Sequence, residues 1–123
     1  MERPEALVDH YENPRNMGDL PDADAVAIGH NPVCGDMLRL AVCSDGARIT
    51  DARFKGYGCA AALAAGSVAT ELLIGTSVER AASLTEEDIT AVLGPLPPMK
   101  VHAVILARDT IANVLAQLSD GSP

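Results

Sequence analysis

Aromatic side chains are nearly absent from this chain. Its 123 residues include one Phe, two Tyr and no Trp, so a surface that stacks on bases or sugar rings is not expected. Lys and Arg are also few, at 9 against 17 Asp and Glu, which gives a formal net charge of −8. Because this charge would repel a phosphate backbone and no basic cluster reverses it locally, we expect no nucleic-acid partner.

Long apolar runs and a secretory leader are missing as well. No segment has the length of a membrane-spanning helix, and the opening MERP lacks the basic and apolar pattern of a signal peptide. We therefore expect a cytoplasmic protein with no membrane partner. Only three cysteines occur, and a reducing compartment favours their interpretation as metal ligands or reactive thiols rather than disulfide partners.

The length predicts a single domain, residues 1–123, with an aliphatic core. Apolar runs at 37–43 and 49–54, separated by Ser44-Asp45-Gly46, predict a β-hairpin, and 26–28 is a weaker strand. Helices are predicted at 4–11, from 59 to about 75, at 77–83, at 86–93, and from 99 or 100 to 118. The first helix has Leu7, Val8 and Tyr11 on one face, and the last has an apolar face of Val101, Val104, Ile105, Ile111, Leu115 and Leu118.

The stretch Gly56-Tyr57-Gly58-Cys59 leads directly into an alanine-rich helix. Its two glycines suit a tight backbone path and allow another part of the chain to approach the cysteine without meeting a side chain. At the start of a helix, free N–H groups and the positive end of the dipole stabilise a thiolate, which favours metal binding or nucleophilic chemistry. An inert, buried cysteine is the alternative interpretation.

A second thiol and a carboxylate lie together in the turn NPVCGD at 31–36, as Cys34 and Asp36. Antiparallel pairing of the hairpin places this turn and Cys59 at the same end of the sheet. Cys43 lies about 23 Å further along the strand, at about 3.3 Å per residue. It is therefore predicted to be a core or strand-end residue outside the same site.

Three histidines complete the set of candidate metal-ligating residues. His102 lies in the first turn of the last predicted helix, where it is either a ligand or an ordinary surface or hydrogen-bonded histidine. His10 and His30 have no comparable neighbours in the sequence, and no ligand role is predicted for them.

Several segments, in this order, resemble the iron–sulfur cluster assembly scaffold family, the IscU, SufU and NifU N-terminal group. They are YENPRN at 11–16, NPVCGD at 31–36, GYGC at 56–59, SVATE at 67–71 and LPPMKVH at 96–102. The resemblance implies an α+β fold in which a small three-stranded antiparallel sheet packs against several α-helices. It also implies a non-catalytic scaffold or carrier that binds iron or a nascent [2Fe–2S] cluster. A cysteine desulfurase and recipient apo-proteins are the implied partners.

By this resemblance, the metal ligands are Cys34, Asp36, Cys59 and His102. The family's third cysteine is missing, because Ala103 follows His102. Two thiolates, a carboxylate and an imidazole still suffice for Zn²⁺ or for the two irons of a [2Fe–2S] unit. A zinc-binding or metal-free member that acts as an interaction protein therefore stays open as the alternative. A cysteine-nucleophile enzyme is less favoured, because no oriented base or oxyanion pocket is indicated.

The segment Leu96, Pro97, Pro98, Met99 and Lys100 resembles the site by which an Hsp70-type chaperone recognises bacterial IscU-type scaffolds. Consecutive prolines would hold it extended, with few conformations to lose on binding. A loop that only stops one helix and starts the next is an equally open interpretation.

Overall fold

Strands occupy the middle of the chain, and helices precede and follow them. The computed structural model describes residues 5–31 and 35–120. The strands are β1 Ala25–Asn31, β2 Asp36–Ser44 and β3 Ile49–Tyr57. The helices are α1 Glu5–Glu12, α2 Ala60–Leu73, α3 Val78–Ala81, α4 Glu86–Leu93 and α5 Val101–Asp120, with a 3-10 turn at Pro98–Lys100 before α5. None of these helices is both long and apolar enough to cross a membrane.

Within the described residues, the strands form one antiparallel sheet with β2 in the centre. Side chains alternate between the two faces of a strand, so Leu38 and Leu40 share one face, and both are buried. Phe54 of β3 lies opposite Leu40 and is buried with it. Helices α2 and α5 both contact the strands. The expected α+β fold, a small three-stranded antiparallel sheet packed with helices, is confirmed.

Strands β2 and β3 form the predicted hairpin, but their pairing extends further than the sequence indicates. The apolar alternation predicts an end at Phe54, whereas β3 continues to Tyr57, which pairs with Met37. Gly56 permits this close pairing, because a Cβ there would lie 2.6 Å from the carbonyl oxygen of Met37. At the opposite end Gly46 closes the turn with φ +99°. The weaker predicted strand at 26–28 is confirmed as part of β1.

The helix ends lie near their predicted positions. α2 begins after Cys59, and Gly75 follows its last turn with φ +84°. The predicted capping box at the start of α4 is present: Thr85 Oγ1 accepts from the N–H of Asp88, and the Asp88 carboxylate accepts from the N–H of Thr85. α3 is shorter than the predicted 77–83.

The predicted apolar face of α5 is partly wrong. Val101 and Ile105 are 41% and 39% exposed, although Val104, Ile111 and Leu115 are buried as predicted. Small or polar residues share the buried face instead, namely Ala103, Ala107 and Thr110. Close helix packing against β1 and α2 favours such residues, and a hydrophobic pattern that weights large aliphatic side chains misses them.

The predicted face of α1 also needs correction. Leu7 is buried as expected, but Tyr11 is exposed and His10 is buried in its stead. The reason is a polar partner on α2, since His10 Nδ1 lies 2.7 Å from the Oγ of the buried Ser67. A buried imidazole is acceptable when it is hydrogen-bonded in this way.

Candidate metal centre

A buried carboxylate connects two of the predicted ligands at one end of the sheet. Asp36 is the first residue of β2, and its side chain is only 1% exposed. Its Oδ1 accepts a hydrogen bond from the Cys59 N–H at 3.0 Å. Its Oδ2 lies 3.7 Å from Cys59 Sγ and 3.7 Å from His102 Nε2. The structure therefore brings Asp36, Cys59 and His102 together from three different elements.

Gly58 makes this approach of the carboxylate possible. Its backbone has φ +135°, and a Cβ built there would overlap Asp36 Oδ1 and lie 2.8 Å from Asp36 Cγ. Only glycine combines this backbone angle with this closeness at little cost. The expectation that the glycine-rich stretch lets another part of the chain reach Cys59 is confirmed, and that part is Asp36.

Cys59 is the N-cap residue of α2, and its side chain makes no capping hydrogen bond. The Asp36 carboxylate instead accepts from its N–H group. A thiol and a carboxylate thus lie together at the positive end of a 14-residue helix. The positive end of a helix dipole attracts anions, so this position suits carboxylate and thiolate ligands of a metal ion.

These groups suit a metal ion in chemistry and partly in spacing. At bond lengths of about 2.0–2.3 Å, two ligands of a tetrahedral metal lie roughly 3.3–3.7 Å apart. The two contacts of Asp36 Oδ2 fall at the upper limit of this range. In residues 5–31 and 35–120, however, no group of three or more His, Cys, Asp or Glu side chains has the arrangement of a metal site. The fourth predicted ligand, Cys34, lies outside the described residues.

Ala103 follows His102, at the position where the motif resemblance predicts the family's third cysteine. It is only 1% exposed, whereas the His102 side chain is 31% exposed. The two side chains thus differ in access to solvent, with His102 partly open and Ala103 packed within the fold.

Cys43 lies at the opposite end of β2 from Asp36. It pairs with Asp51 of β3, and its Sγ donates to the carbonyl oxygen of Asp22 at 3.5 Å. The strand register therefore confirms Cys43 as a strand-end residue that is remote from Cys59.

Sequence reasoning missed a polar cluster around His10, because its partners lie more than 50 residues away. His10 Nε2 is 3.6 Å from Glu71 on α2, and Arg15 donates its backbone N–H to Ser67 Oγ at 2.9 Å. Burial lowers the pKa of His10, and the nearby Arg15 guanidinium lowers it further, although Glu71 and Asp9 oppose this. The signal in the sequence is the pair Ser67 and Glu71, spaced four apart on one helix face.

The segment at 96–100 is only partly extended. Pro97 has extended backbone angles, but the 3-10 turn begins at Pro98. Both prolines are exposed, Lys100 is half-buried, and Leu96 packs against the hydrophobic core. The Met99 side chain lies outside the described part of the structure. Pro97 and Pro98 are therefore more accessible than Leu96.

Comparison with known proteins agrees with this fold and order of motifs. Residues 2–120 match the family described as NifU-like N terminal domain. The iron–sulfur cluster assembly scaffold protein IscU 1 of Archaeoglobus fulgidus is 40% identical, with 89% of this chain and 71% of that protein covered. The scaffold protein IscU of Escherichia coli K12 is 42% identical, with 91% and 90% covered.

A solved structure is similar as well. It is that of a candidate iron–sulfur cluster assembly scaffold protein for the SUF system from Fervidobacterium islandicum, with a TM-score of 0.74 and 26% identity. The comparison covers 90% of this chain and 94% of that one. The resemblance drawn from the motifs is thereby confirmed, and the chain belongs to the family of the NifU-like N-terminal domain.

Proposed function

We propose that this protein is a non-catalytic scaffold that assembles an iron–sulfur cluster and passes it to recipient apo-proteins. The observation that supports this most is the buried Asp36 carboxylate between Cys59 and His102, in a chain 40–44% identical to proteins named as IscU cluster assembly proteins. The cluster is cargo here rather than a resident cofactor. We further propose a cysteine desulfurase as the source of sulfur and a cytoplasmic location.

In this proposal, Cys34, Asp36, Cys59 and His102 hold the iron or the nascent [2Fe–2S] cluster. Oxygen and nitrogen ligands bind such clusters less firmly than thiolates do. A site with only two thiolates is therefore suited to a cluster that must leave again. Zn²⁺ accepts the same four ligand types and is the expected occupant when no sulfur is supplied. Sulfur would arrive on one of the two site cysteines.

Anaerobic reconstitution tests the proposal. With a cysteine desulfurase, cysteine, ferrous iron and a thiol reductant that supplies the remaining electrons for sulfide, we expect visible absorbance from a cluster in the wild type and in the Cys43→Ser control, but not in Cys59→Ser. Absence of any chromophore from the anaerobic wild type would contradict a scaffold role. We also propose that residues 1–123 form a single domain.

The second candidate is a zinc-binding or metal-free member that serves as an interaction protein. Ala103 favours it, because the family's third thiol is missing at a position where the structure has a buried methyl group. The matched variant is Ala103→Cys in the same reconstitution. Equal cluster yields show that the third thiol is dispensable, whereas a cluster formed only in Ala103→Cys favours the second candidate.

We also propose that an Hsp70-type chaperone binds the segment Leu96, Pro97, Pro98, Met99 and Lys100. The exposed prolines support this, and the segment precedes His102 directly, so a bound chaperone would act on a proposed ligand. The double variant Pro98→Ala with Lys100→Ala should weaken chaperone affinity at an unchanged melting temperature. Unchanged affinity, or a loss that accompanies a lower melting temperature, would leave a purely structural loop.

A further inference from the structure

The contact between β1 and α5 is unusually close at one glycine. A Cβ built on Gly29 would overlap Thr110 Oγ1 and lie 2.9 Å from Leu106 Cδ1. Thr110 is fully buried, and its hydroxyl donates to the carbonyl oxygen of Leu106 at 2.7 Å, so it has little freedom to move away. The distance between strand and helix here is therefore set by the absence of a side chain at Gly29.

The same strand also fixes the position of Asp36. Asn31, the last residue of β1, pairs with Asp36, and Gly29 pairs with Leu38. At its other end β1 is joined to α5 again, because the N–H of Val26 donates to Gln117 Oε1 at 3.2 Å. β1 thus contacts both the strand that begins with Asp36 and the helix that carries His102.

The residues of α5 that face β1 lie on the side of the helix near His102. Leu106 follows His102 by four residues and Thr110 by eight, which is one and two turns, or about 6 and 12 Å along the axis. A helix moves as a rigid element over such a length, so a displacement at Leu106 and Thr110 carries to His102. The separation between His102 Nε2 and Asp36 Oδ2 is 3.7 Å, and a shift of 1 Å would alter it substantially.

We infer that Gly29 and Thr110 are positioning residues, which set how far the His102 imidazole lies from the Asp36 carboxylate. The metal-binding consequence rests on the proposed function, in which both side chains are ligands. The geometric consequence does not, because the spacing of the imidazole and the carboxylate is a property of the chain without metal.

The experiment uses Gly29→Ala, Thr110→Ala and the double variant in the full chain. Nuclear magnetic resonance of the metal-free protein reports the His102 imidazole, and competition titration with Zn²⁺ alone reports affinity. We expect Gly29→Ala to shift the His102 signals and weaken Zn²⁺ binding by about 10–100-fold, as loss of a positioning residue around a metal typically does. Thr110→Ala removes the obstructing Oγ1, so the double variant should return both measurements close to wild type.

Two outcomes would overturn the inference. One is a Gly29→Ala protein with a lower melting temperature but unchanged His102 signals, which would make the contact merely structural. The other is a double variant as perturbed at His102 as Gly29→Ala, which would mean that Thr110 does not transmit the displacement. If Zn²⁺ leaves the His102 signals of the wild type unchanged, or if His102→Ala keeps the wild-type Zn²⁺ affinity, His102 is no Zn²⁺ ligand and the proposed ligand set fails. The imidazole signals of the metal-free variants still decide the positioning role in that case.

Discussion

The two ends of strand β2 carry the same kinds of side chain in different surroundings. At the site end, Asp36 is buried between Cys59 and His102. At the hairpin end, Cys43 pairs with Asp51, so a thiol and a carboxylate are neighbours there too. Composition alone would make both ends candidates for a metal.

The difference is in what each carboxylate already contacts. The Asp51 carboxylate accepts from Arg53 at 2.5 Å and is partly exposed, so its charge is neutralised by the protein and by water. The Asp36 carboxylate has a backbone N–H and a neighbouring imidazole but no Lys or Arg at ion-pair distance within the described residues. A buried carboxylate is stabilised by hydrogen bonds or by a positive partner, and a bound metal ion would be such a partner.

Replacement of a cysteine in the proposed metal site gives the largest expected effect. Cys59→Ser should reduce bound metal by about tenfold or more, because a thiolate ligand is lost. Cys43→Ser should leave the metal content nearly unchanged, since Cys43 lies at the other end of the sheet. Cys34→Ser is expected to act like Cys59→Ser. Metal content of the purified proteins by mass spectrometry decides this, and a loss confined to Cys43→Ser would reverse our assignment of the two ends.

Replacement of one glycine at each end gives a smaller effect. Gly46 and Gly58 both have positive φ, but a Cβ at Gly46 meets nothing within 4 Å. Gly46→Ala should therefore cost only the backbone strain, about 1–2 kcal/mol. Gly58→Ala must in addition displace the buried Asp36, so we expect a loss of about 3 kcal/mol together with loss of metal.

Urea unfolding and metal content measured on the same samples separate these two costs. Gly46→Ala serves as the control for strain, because it changes the backbone without touching a carboxylate. Equal destabilisation of the two variants, with full metal content in both, would show that displacement of Asp36 costs neither stability nor metal binding.

The sequence predicts Asp36 and Cys59 at the same end of the sheet, because hairpin register is a local property. Alternation, turn residues and two glycines sufficed to predict the strands, their pairing and an approach to Cys59. These signals all lie within a stretch of about 25 residues. Nothing in them depends on how distant helices pack.

The features that the sequence did not reveal depend on that packing. The buried face of α5 is set by contact with α2 and with β1 at Gly29, and a pattern of large apolar residues does not predict these contacts. His10 is buried because it has a hydrogen-bonding partner in Ser67, and the two residues are 57 positions apart. The sequence predicts His102 at the start of a helix, as the structure confirms, but its 3.7 Å contact with Asp36 follows from tertiary structure alone.

Acidification should affect two regions through different groups, namely the metal ligands at the Asp36 end of β2 and the His10 cluster. Metal ligands must be deprotonated, so low pH releases metal. Burial independently lowers the pKa of His10 below its ordinary 6.5. Below pH 6.5 the unfolded chain therefore binds a proton more readily than the folded one, and stability falls as the pH decreases toward the folded pKa. Well above pH 6.5 the group is neutral in both states and contributes no pH dependence.

His10→Asn isolates this second effect, which is the smallest we predict. Asparagine can keep a polar contact with Ser67 but takes up no proton, so the variant should lose about 1 kcal/mol at neutral pH and show a flatter decline of stability between pH 6.5 and more acidic conditions. His30→Asn is the matched control, because His30 is exposed on β1 and the His10 cluster stays intact. Urea unfolding of the metal-free proteins across this pH range gives the slopes. If His10→Asn declines as steeply as His30→Asn, burial of His10 is not the source of the acid sensitivity.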